Sequence, residues 1–577
     1  MMKRILATFA VLLLVGCSSN KSDSSSTLTG QFDGISIEGL SYETASHSGK
    51  TTASGQFSYE PGESIQFSIG STLIGDSIPA EDSLALHQLL PITVLPTNFG
   101  EFNTLFYQAS HKAERDNFHH FNNLLTVIFS LDNDANPLNG VVIPAEVSDL
   151  MKDVEINFDQ HLKTFAGKHS SRYGKGDDTL RKVTHLGTAA GWLSRGDLYA
   201  FGLGLQRYYQ ANDIESNFYM ATEQSTYSDM NTEPDSIVSY VFDEYGNIPR
   251  KSTDNNGDGN LNNIRTATFN DNNKYLTEST DSNGDGDSNY GYLYEYDTFG
   301  NPTKQSYDSN GDGAINSINT LTFNEYGFNT RSETDSDNDG DLDAITVTTF
   351  DDRGNATSEL QDNDGDGVFD SANFNSHDSN GNRIRTEYDD ENDGSIDSLE
   401  VSTYDSNNNR LTQYYDSGAD GDYDRLYVST YNLDGNRLVQ TRDNDGDGTV
   451  DEITTETYND AGLQITYSRD DNADGTAEST SFYGYDAQNN LNYSGSDFDG
   501  DGIADSTNHY TLDDAGNILR IDTVQSNGNE QTLLRTYNEF GNQLTSSIDN
   551  GADGLVNTLT TYSLGLVPVR AILDTMN

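Results

Sequence analysis

The sequence predicts a mainly β protein: an array of about 27-residue β-hairpin units, elongated or spiralling, preceded by a small β module and a mainly helical domain. Three observations predict the array. One aromatic position recurs every 27 residues, an Asp- and Gly-rich loop recurs at the same period, and the segments between them alternate β-branched or aromatic with polar residues. Self-similarity at a fixed period is typical of repeat proteins.

Composition divides the chain into six segments. They are a predicted signal peptide (1–16), a Ser-rich flexible tether (17–30), the small β module (31–75), the mainly helical domain (76–222), the β-hairpin repeats (223–565) and a C-terminal tail (566–577).

The first segment is typical of a secretion signal, since two basic residues precede an apolar run, Ile5–Val15, that is too short to span a bilayer. The run ends in Leu14-Val15-Gly16-Cys17, which resembles the lipobox of bacterial lipoproteins. The resemblance implies cleavage before Cys17 and lipidation of its sulfur. Because Ser18 and not Asp follows, it also implies a lipid anchor in the outer membrane or at the cell surface. An ordinary signal with an idle thiol is the alternative.

Charge is spread unevenly along the chain, whose net charge is -61. Residues 221–577 hold 69 acidic and 17 basic residues, which leaves -52 of that charge in the repeats and the tail. Such a polyanion excludes nucleic acid as a partner, because a phosphate backbone needs a basic surface. Intrinsic disorder is disfavoured by the 33 Tyr and 25 Phe. Bound cations would relieve the repulsion.

The middle of the chain predicts short strands and then helices. Phe118, Phe121, Leu124, Leu125 and Ile128 fit one helical face, and a second helix is predicted from Ala145 to Phe165. Between them, the Asx-rich loop 131–140 is either a plain turn or a cation site. The histidines have no metal-ligand spacing and are interpreted as surface or core residues; they include His111, His119, His120, His161, His169 and His185.

The aromatic position marks a hairpin turn. It is followed by Asn or Asp, two variable residues and usually Gly-Asn, which are residues that tolerate positive φ. The position is occupied by Phe242, Phe269, Tyr296, Phe323, Phe350, His377, Tyr404, Tyr431, Tyr458, Tyr485 and Leu512 at a spacing of 27, and then by Tyr537 and Tyr562 at 25. The flanks alternate with period two, as in Ala344–Phe350, and therefore predict a strand on each side of the turn.

Eleven loops between the hairpins share one pattern of side-chain oxygens. Position 1 is Asp, position 5 is Asp, position 6 is Gly and position 9 is Asp, Asn or Glu in all eleven; position 3 is acidic or Asn except at Gly418 and Gly551. Oxygens spaced in this way converge on a hard cation, and the glycine permits the sharp turn between them. Tight turns without an ion are the alternative, but turns alone do not require Asp at both positions 1 and 5.

The predicted metal ligands are Asp254, Asn256, Asp258 and Asn262; Asp281, Asn283, Asp285 and Asn289; Asp308, Asn310, Asp312 and Asn316; Asp335, Asp337, Asp339 and Asp343; Asp362, Asp364, Asp366 and Asp370; Asp389, Glu391, Asp393 and Asp397; Asp416, Asp420 and Asp424; Asp443, Asp445, Asp447 and Asp451; Asp470, Asn472, Asp474 and Glu478; Asp497, Asp499, Asp501 and Asp505; and Asp549, Asp553 and Asn557. Loops 227–235 and 522–530 look degenerate and are expected to bind nothing.

These loops resemble the first nine residues of the calcium loops of EF-hands, thrombospondin type 3 repeats and dockerins. The resemblance implies calcium as the cofactor. The bidentate Glu at position 12 of the EF-hand is absent, however, and only Glu400 is acidic there. Water or a neighbouring repeat must then complete each shell, and we expect weak, extracellular-type affinities of roughly 10⁻⁴–10⁻³ M.

The turn motif, Y-[ND]-x-x-G-N-x-L, resembles the YD or RHS repeats that build spiralling β shells, without the core signature that precedes a toxin in that family. The sequence leaves open whether the array is a rod or a closed shell. We expect a calcium-stabilised surface lipoprotein with a structural or adhesive role, with polysaccharide or another surface protein as candidate partners. Accessory repeats of a carbohydrate-active or other envelope hydrolase, or an envelope calcium buffer, are the alternatives. Nothing in the sequence predicts an enzyme.

Overall fold

A computed structural model describes residues 27–92, 95–107, 112–154, 156–160, 165, 178–199, 202–215, 218–228 and 231–575. The predicted signal peptide, Cys17 and most of the tether lie outside the described residues. So do His111, His161 and His169.

A region that we call the cap (residues 27–218 and 567–575) contains short strands and the helices. Its strands are β1 Leu28–Phe32, β2 Ile37–Glu38, β3 Ser41–Glu43, β4 Ser48–Lys50, β5 Gln56–Tyr59, β6 Ser64–Ile69, β7 Thr72–Pro79, β8 Ser83–Leu84 and β9 Val141–Val142. Its helices are α1 Phe99–Tyr107, α2 Lys112–Ser130, α3 Ala145–Leu150, α4 Asp178–Ala189, α5 Leu203–Ala211 and α6 Val569–Thr575, with 3₁₀ turns at Leu86–Leu89, Pro137–Asn139 and Met151–Asp153. None of the helices in the described ranges is long and apolar enough to cross a membrane.

The cap has one continuous hydrophobic core. The sheets β5-β1-β8 and β4-β3-β6-β7 pack with the helices, and residues from Phe32 to Phe218 share the core with Val567 to Leu573. The five apolar residues predicted to form one face of α2 are all buried, which confirms that helix. Residues 566–577 are predicted to be a tail, but the described part, 566–575, completes the last barrel strand and forms α6 in this core.

The second predicted helix, Ala145–Phe165, is shorter than predicted: residues 154 and 156–160 are not helical, while 155 and 161–164 lie outside the described residues. It begins at Ala145, but α3 ends at Leu150 and the following 3₁₀ turn ends at Asp153. The hairpin between β6 and β7 explains the early end: the Ser71 N–H donates to the Met151 carbonyl, and the Thr72 hydroxyl donates to the Val154 carbonyl at 3.0 Å. Those carbonyls are therefore already paired outside a helix.

The repeats form 26 antiparallel strands that pair in chain order. They are β10 Tyr219–Ser228, β11 Ser236–Val241, β12 Arg250–Asp254, β13 Asn263–Phe269, β14 Tyr275–Asp281, β15 Tyr290–Tyr296, β16 Pro302–Asp308, β17 Ser317–Phe323, β18 Asn329–Asp335, β19 Ala344–Phe350, β20 Ala356–Asp362, β21 Ser371–His377, β22 Arg383–Asp389, β23 Ser398–Tyr404, β24 Arg410–Asp416, β25 Arg425–Tyr431, β26 Arg437–Asp443, β27 Glu452–Tyr458, β28 Gln464–Asp470, β29 Ser479–Tyr485, β30 Leu491–Asp497, β31 Ser506–Leu512, β32 Ile518–Gln525, β33 Glu530–Tyr537, β34 Gln543–Asn550 and β35 Thr558–Leu566.

The array closes on itself, because β10 pairs with β35 along its whole length, from Tyr219 opposite Leu566 to Ser228 opposite Thr558. The mainly β repeat array is confirmed, and closure answers the question of rod or shell. Twenty-six strands at about 4.8 Å spacing give a diameter of about 40 Å even without tilt. Side chains cannot fill so wide a barrel.

The two faces of the sheet differ in exposure. In β27, Glu452, Thr454 and Glu456 are buried, whereas the alternate residues Thr455 and Thr457 are exposed. The buried face is nevertheless polar, because Glu456 pairs with Arg437 at 2.6 Å and Glu452 with Arg442 at 3.1 Å. We assign this less exposed face to the concave side of the barrel, where curvature brings side chains together.

The aromatic turns lie at one end of the barrel and the Asp-rich loops at the other, because the two kinds of connection alternate along an antiparallel array. At the aromatic-turn end, the Asp297 carboxylate accepts the N–H groups of Phe299 and Asn301, and Gly300 has a φ of +82°. The tyrosine hydroxyl often bonds the preceding hairpin: Tyr431 donates to the Arg410 carbonyl at 2.9 Å. The predicted turn chemistry therefore also joins one repeat to the next.

The cap packs against the aromatic-turn end. Asp197 pairs with Lys274 at 2.7 Å, and His185 of α4 stacks on Phe299 at 5.4 Å between ring centroids. At the closure point, Arg570 of α6 donates to the Asn247 side chain in the first turn. The Asp-rich loops are left at the opposite, uncapped end.

Candidate metal centres

The eleven Asp-rich loops share one backbone arrangement, built around the aspartate at position 1. This side chain ends a strand and is buried in ten of the loops, from 1% exposure at Asp362 to 8% at Asp308 and Asp335. Its Oδ2 accepts the N–H of the position-6 glycine at 2.8–3.1 Å in all eleven. The chain is thereby folded around this carboxylate, and an Oδ2 that accepts this one backbone N–H keeps a second lone pair for a cation. The Oδ1 of Asp281 and that of Asp497 each accept two further loop N–H groups.

Position 6 needs glycine for a conformational reason. Its φ lies between +84° and +99° in the eleven loops, beyond the small left-handed region that other L-residues can adopt. A Cβ there would meet no atom within 4 Å, so crowding is not the cause. The predicted role of this glycine, to permit the sharp turn, is confirmed.

Positions 5 and 9 are oriented by the loop backbone. The position-5 carboxylate accepts the N–H of position 7 at 2.7–3.0 Å in all eleven loops. The position-9 oxygen accepts the N–H of position 2, also in all eleven. Each acidic side chain at position 9 thus has one oxygen fixed by the backbone. The second oxygen accepts the Asn472 amide at 2.7 Å in Glu478 and the Ser526 hydroxyl at 2.9 Å in Asp505.

Five loops bring three carboxylates close enough to hold a metal ion, with one oxygen of each within 4.8 Å of the others. The groups are Asp335, Asp337 and Asp339; Asp362, Asp364 and Asp370; Asp443, Asp445 and Asp451; Asp470, Asp474 and Glu478; and Asp497, Asp499 and Asp505. The first group uses loop positions 1, 3 and 5, and the fourth uses positions 1, 5 and 9. The other three groups use positions 1, 3 and 9.

The other six predicted sites are less complete. The loops that begin at Asp254, Asp281 and Asp308 have Asn at positions 3 and 9, so amide oxygens replace two carboxylates. Within the described chain, the loops that begin at Asp389, Asp416 and Asp549 do not bring three carboxylates within 4.8 Å of one another. Three carboxylates therefore converge in five of the eleven predicted ligand sets.

In several of these loops the backbone lowers the pKa of the position-1 carboxylate. Burial raises the pKa of Asp497, but the N–H groups of Gly502 and Gly500 outweigh it, so the pKa lies below its ordinary value. The same balance lowers the pKa of Asp362 and Asp281. At neutral pH these groups are anionic and present oxygens only, with no thiolate or imidazole. Such a donor set fits a hard divalent cation such as calcium, and not zinc or copper.

Neighbouring loops touch through a contact that sequence reasoning missed. The Asn338 side chain, at position 4, donates to the Ile315 carbonyl of the preceding loop at 2.8 Å, and Asn392 donates likewise to Phe369 at 2.9 Å. Where position 4 is glycine, the carbonyl of the preceding loop occupies the place that a side chain would need. A Cβ on Gly284, for example, would lie 1.6 Å from the Leu261 carbonyl oxygen. The signal was present as a preference for Gly, Asn and Ala at position 4, where φ is +47° to +74°.

The two degenerate loops differ from the others. Asp522 lies inside β32 and pairs with Arg520 at 2.6 Å, and the turn at 525–529 is a tight hairpin. In the other, Asp235 accepts the Ser228 N–H, while Asp229 lies outside the described residues.

No protein-family model matches the sequence, and no curated protein matches it. Among solved structures, the complex TcdB2-TccC3 is 13% identical with a TM-score of 0.28, over 57% of this chain and 20% of that one. The Tc holotoxin pore of Photorhabdus luminescens is 13% identical with a TM-score of 0.29, over 57% and 19%. A porin-like protein from Bacteroides uniformis is 10% identical with a TM-score of 0.15, over 60% and 96%. The chain spans about a fifth of the toxin chains, and likenesses this weak say nothing about what the protein binds.

Proposed function

We propose that the repeat barrel binds calcium at its uncapped end and is stabilised by it, as part of a lipid-anchored envelope protein with a structural or adhesive role. The observation that carries the proposal is the convergence of three carboxylates in each of five loops on one rim. Oxygen ligands on a rigid β scaffold suit calcium, whose shell of 6–8 oxygens accepts irregular geometry. Water and carbonyl oxygens would complete each shell.

Electrostatics supports the same proposal. The region 221–577 carries -52 of the net charge, and eleven acidic loops lie side by side at one end of the barrel. Without cations, like charges at this density oppose the closed ring. A divalent ion in each loop would cancel the local repulsion and join the strand before the loop to the strand after it.

Calorimetric calcium titration of the full-length chain tests the proposal. We expect binding at several sites with affinities of roughly 10⁻⁴–10⁻³ M. The double variant Asp445→Asn/Asp451→Asn should remove one site, because both carboxylates belong to one of the five groups. A matched control, Asp434→Asn/Asp460→Asn, removes the same charge from exposed positions in the aromatic turns and should keep every site. Equal titrations of the two variants, or no binding by the parent chain, would contradict calcium binding.

The envelope location rests on the sequence around Cys17. A Cys17→Ala variant expressed in a bacterial host should lose lipid labelling and fractionate away from the membrane, while the parent chain stays with it. Membrane retention of the variant would contradict the anchor and leave the calcium proposal untouched.

A further inference from the structure

The loop between α2 and β9 carries acidic and amide side chains that the repeat array does not use. It runs from Asp132 to Gly140, and Asp134, Asn136 and Asn139 lie within it. We propose that this loop of the cap is a separate site for a hard divalent cation, with Asp132 and Asp134 as its charged ligands.

Asp132 carries the proposal, because it is a buried carboxylate with an oxygen that has no partner. The residue is 0% exposed. Its Oδ1 accepts the Val142 N–H at 2.9 Å, but its Oδ2 is buried and accepts no hydrogen bond from the residues that the structure describes. A carboxylate that leaves water without a full set of partners is costly, so such groups pair with a cation or take up a proton.

Comparison with the repeat loops shows why this oxygen lacks a partner. The backbone begins in the same way, with Ala135 at position 4 and a φ of +59°, inside the range seen in the repeats. Position 6, however, is Pro137, which has no N–H. In the repeat loops this N–H bonds the Oδ2 of position 1, as Gly448 does for Asp443 at 2.9 Å. Pro137 removes the internal donor and leaves the oxygen for an external ligand.

The surroundings of Asp132 favour a cation. The Asp134 carboxylate faces it, and Asp134 is itself held by the Asn136 N–H at 3.0 Å and the Asn139 amide at 2.9 Å. The loop follows Ser130, the end of a 19-residue helix, whose C-terminal carbonyls carry partial negative charge. Two carboxylates and a helix C-terminus converge there.

Access to the loop is open. Asp134 and Asn136 line a cleft between the cap and the first aromatic turns of the barrel, together with Arg207 and Asp243. An ion in the loop would sit beside this contact, and its binding would stiffen the cap where the cap meets the barrel.

The single tryptophan makes the site separately measurable. Trp192 is the only Trp of the chain and lies two residues from Ser194, whose N–H donates to the Asn133 carbonyl in the loop at 2.9 Å. Terbium bound in this loop should therefore emit when Trp192 alone is excited, at wavelengths where tyrosine does not absorb. The repeat loops lie at the far end of seven-residue strands, about 20 Å away, and contain no tryptophan.

We expect the full-length chain to give Trp-sensitised terbium emission that excess calcium removes. Asp132→Asn should abolish the emission, and Asp134→Asn, at an exposed position, should reduce it even if Asp132→Asn disturbs folding. The repeat variant Asp445→Asn/Asp451→Asn should leave it unchanged, so failure of the repeat sites and failure of this site are distinguishable. Absence of emission from the folded parent chain, or undiminished emission from Asp134→Asn and from a folded Asp132→Asn, would overturn the proposal and indicate a proton shared between the two carboxyl groups.

Discussion

At the scale of single residues, two positive-φ positions in each Asp-rich loop have different requirements. Position 6 has φ near +90°, which only glycine adopts readily, and it is glycine in every loop. Position 4 has φ near +60°, and Asn and Ala occupy it in several loops. Backbone conformation therefore explains why position 6 is always Gly whereas position 4 is not. The Gly-rich composition of the loops does not explain this difference.

Replacement of Gly448 by Ala should destabilise the barrel by about 1–2 kcal/mol, because the substitution forces an L-residue to a strained φ. Ala473→Asn, at position 4 of the next loop, where φ is +53° and a Cβ is already present, is the matched control. It should cost less than about 0.5 kcal/mol, since Asn338 and Asn392 already occupy position 4 and bond the preceding loop. Urea denaturation in saturating calcium measures both. Equal losses would contradict the conformational explanation.

His185 should make the cap sensitive to acid. Burial, followed by the nearby Arg181, lowers its pKa to about 4, although Asp297 and Asp197 act in the opposite direction. The unfolded chain has a higher pKa, near 6.5, and therefore binds more protons between these values. Stability from this group is complete above pH 6.5 and decreases by up to about 3 kcal/mol as pH falls to 4.

Urea denaturation of the parent chain and of His185→Gln at pH 7 and pH 4.5, followed through Trp192 fluorescence, measures this effect. The parent should lose about 2–3 kcal/mol more than the variant on acidification. An equal loss in both would show that His185 does not titrate in this way.

At the scale of one element, each hairpin unit combines two connections with different tasks. The aromatic turn faces the cap, and its tyrosine hydroxyl bonds the preceding repeat. The Asp-rich loop closes the other end, and its position-9 residue bonds the N–H of position 2 and, in the proposed calcium site, would offer an oxygen to the ion. Structural and ligand roles therefore meet in one side chain.

Two substitutions at Asp451 should separate these roles. In the parent chain the Asp451 carboxylate accepts the Asn444 N–H at 2.7 Å. Asp451→Asn should keep this hydrogen bond, because Asn262 accepts the same bond at position 9 of its loop. It should lower calcium affinity and leave the calcium-free stability within about 0.5 kcal/mol. Asp451→Ala loses both functions and should also cost about 1 kcal/mol without calcium. Denaturation with and without EDTA measures both, and identical behaviour of the two variants would contradict the dual role.

The repeat unit was predictable because its signals are local. Turn residues, the position-6 glycine and strand alternation act over fewer than ten residues, and the structure confirms each of them. The early end of the helix at Leu150 was not predictable, since it depends on a hairpin about 80 residues earlier in the chain. The contact between position 4 and the preceding loop was visible only as a residue preference, because its partner lies 23 residues away.

At the scale of the whole molecule, closure turns a chain of hairpins into a ring with a polar concave face. The cap occupies one end and α6 ties the last strand back to the first turn. Charge concentrates at the opposite rim. The ring is therefore held together at the capped end by packing and is most exposed to repulsion where the Asp-rich loops lie.

Calcium removal should loosen the barrel from this rim. Each site that calcium fills at ten to a hundred times its Kd contributes roughly 1–3 kcal/mol, all of which EDTA removes. The loss should be greatest at low ionic strength and partly offset by salt, because screening reduces repulsion among the remaining carboxylates. Circular dichroism melting with calcium or EDTA, at two salt concentrations, measures the effect. A melting curve that EDTA leaves unchanged would contradict it.

The sequence by itself determined the hairpin period, the turn geometry and the oxygen-bearing side chains of each loop, because these depend on neighbours within one repeat. Only the tertiary structure decided that β10 pairs with β35, that the cap sits on the aromatic-turn end and that Asp132 has an oxygen without a partner. The physical reason is that closure and burial depend on contacts between residues hundreds of positions apart, and a repeat has the same local pattern in a rod as in a ring.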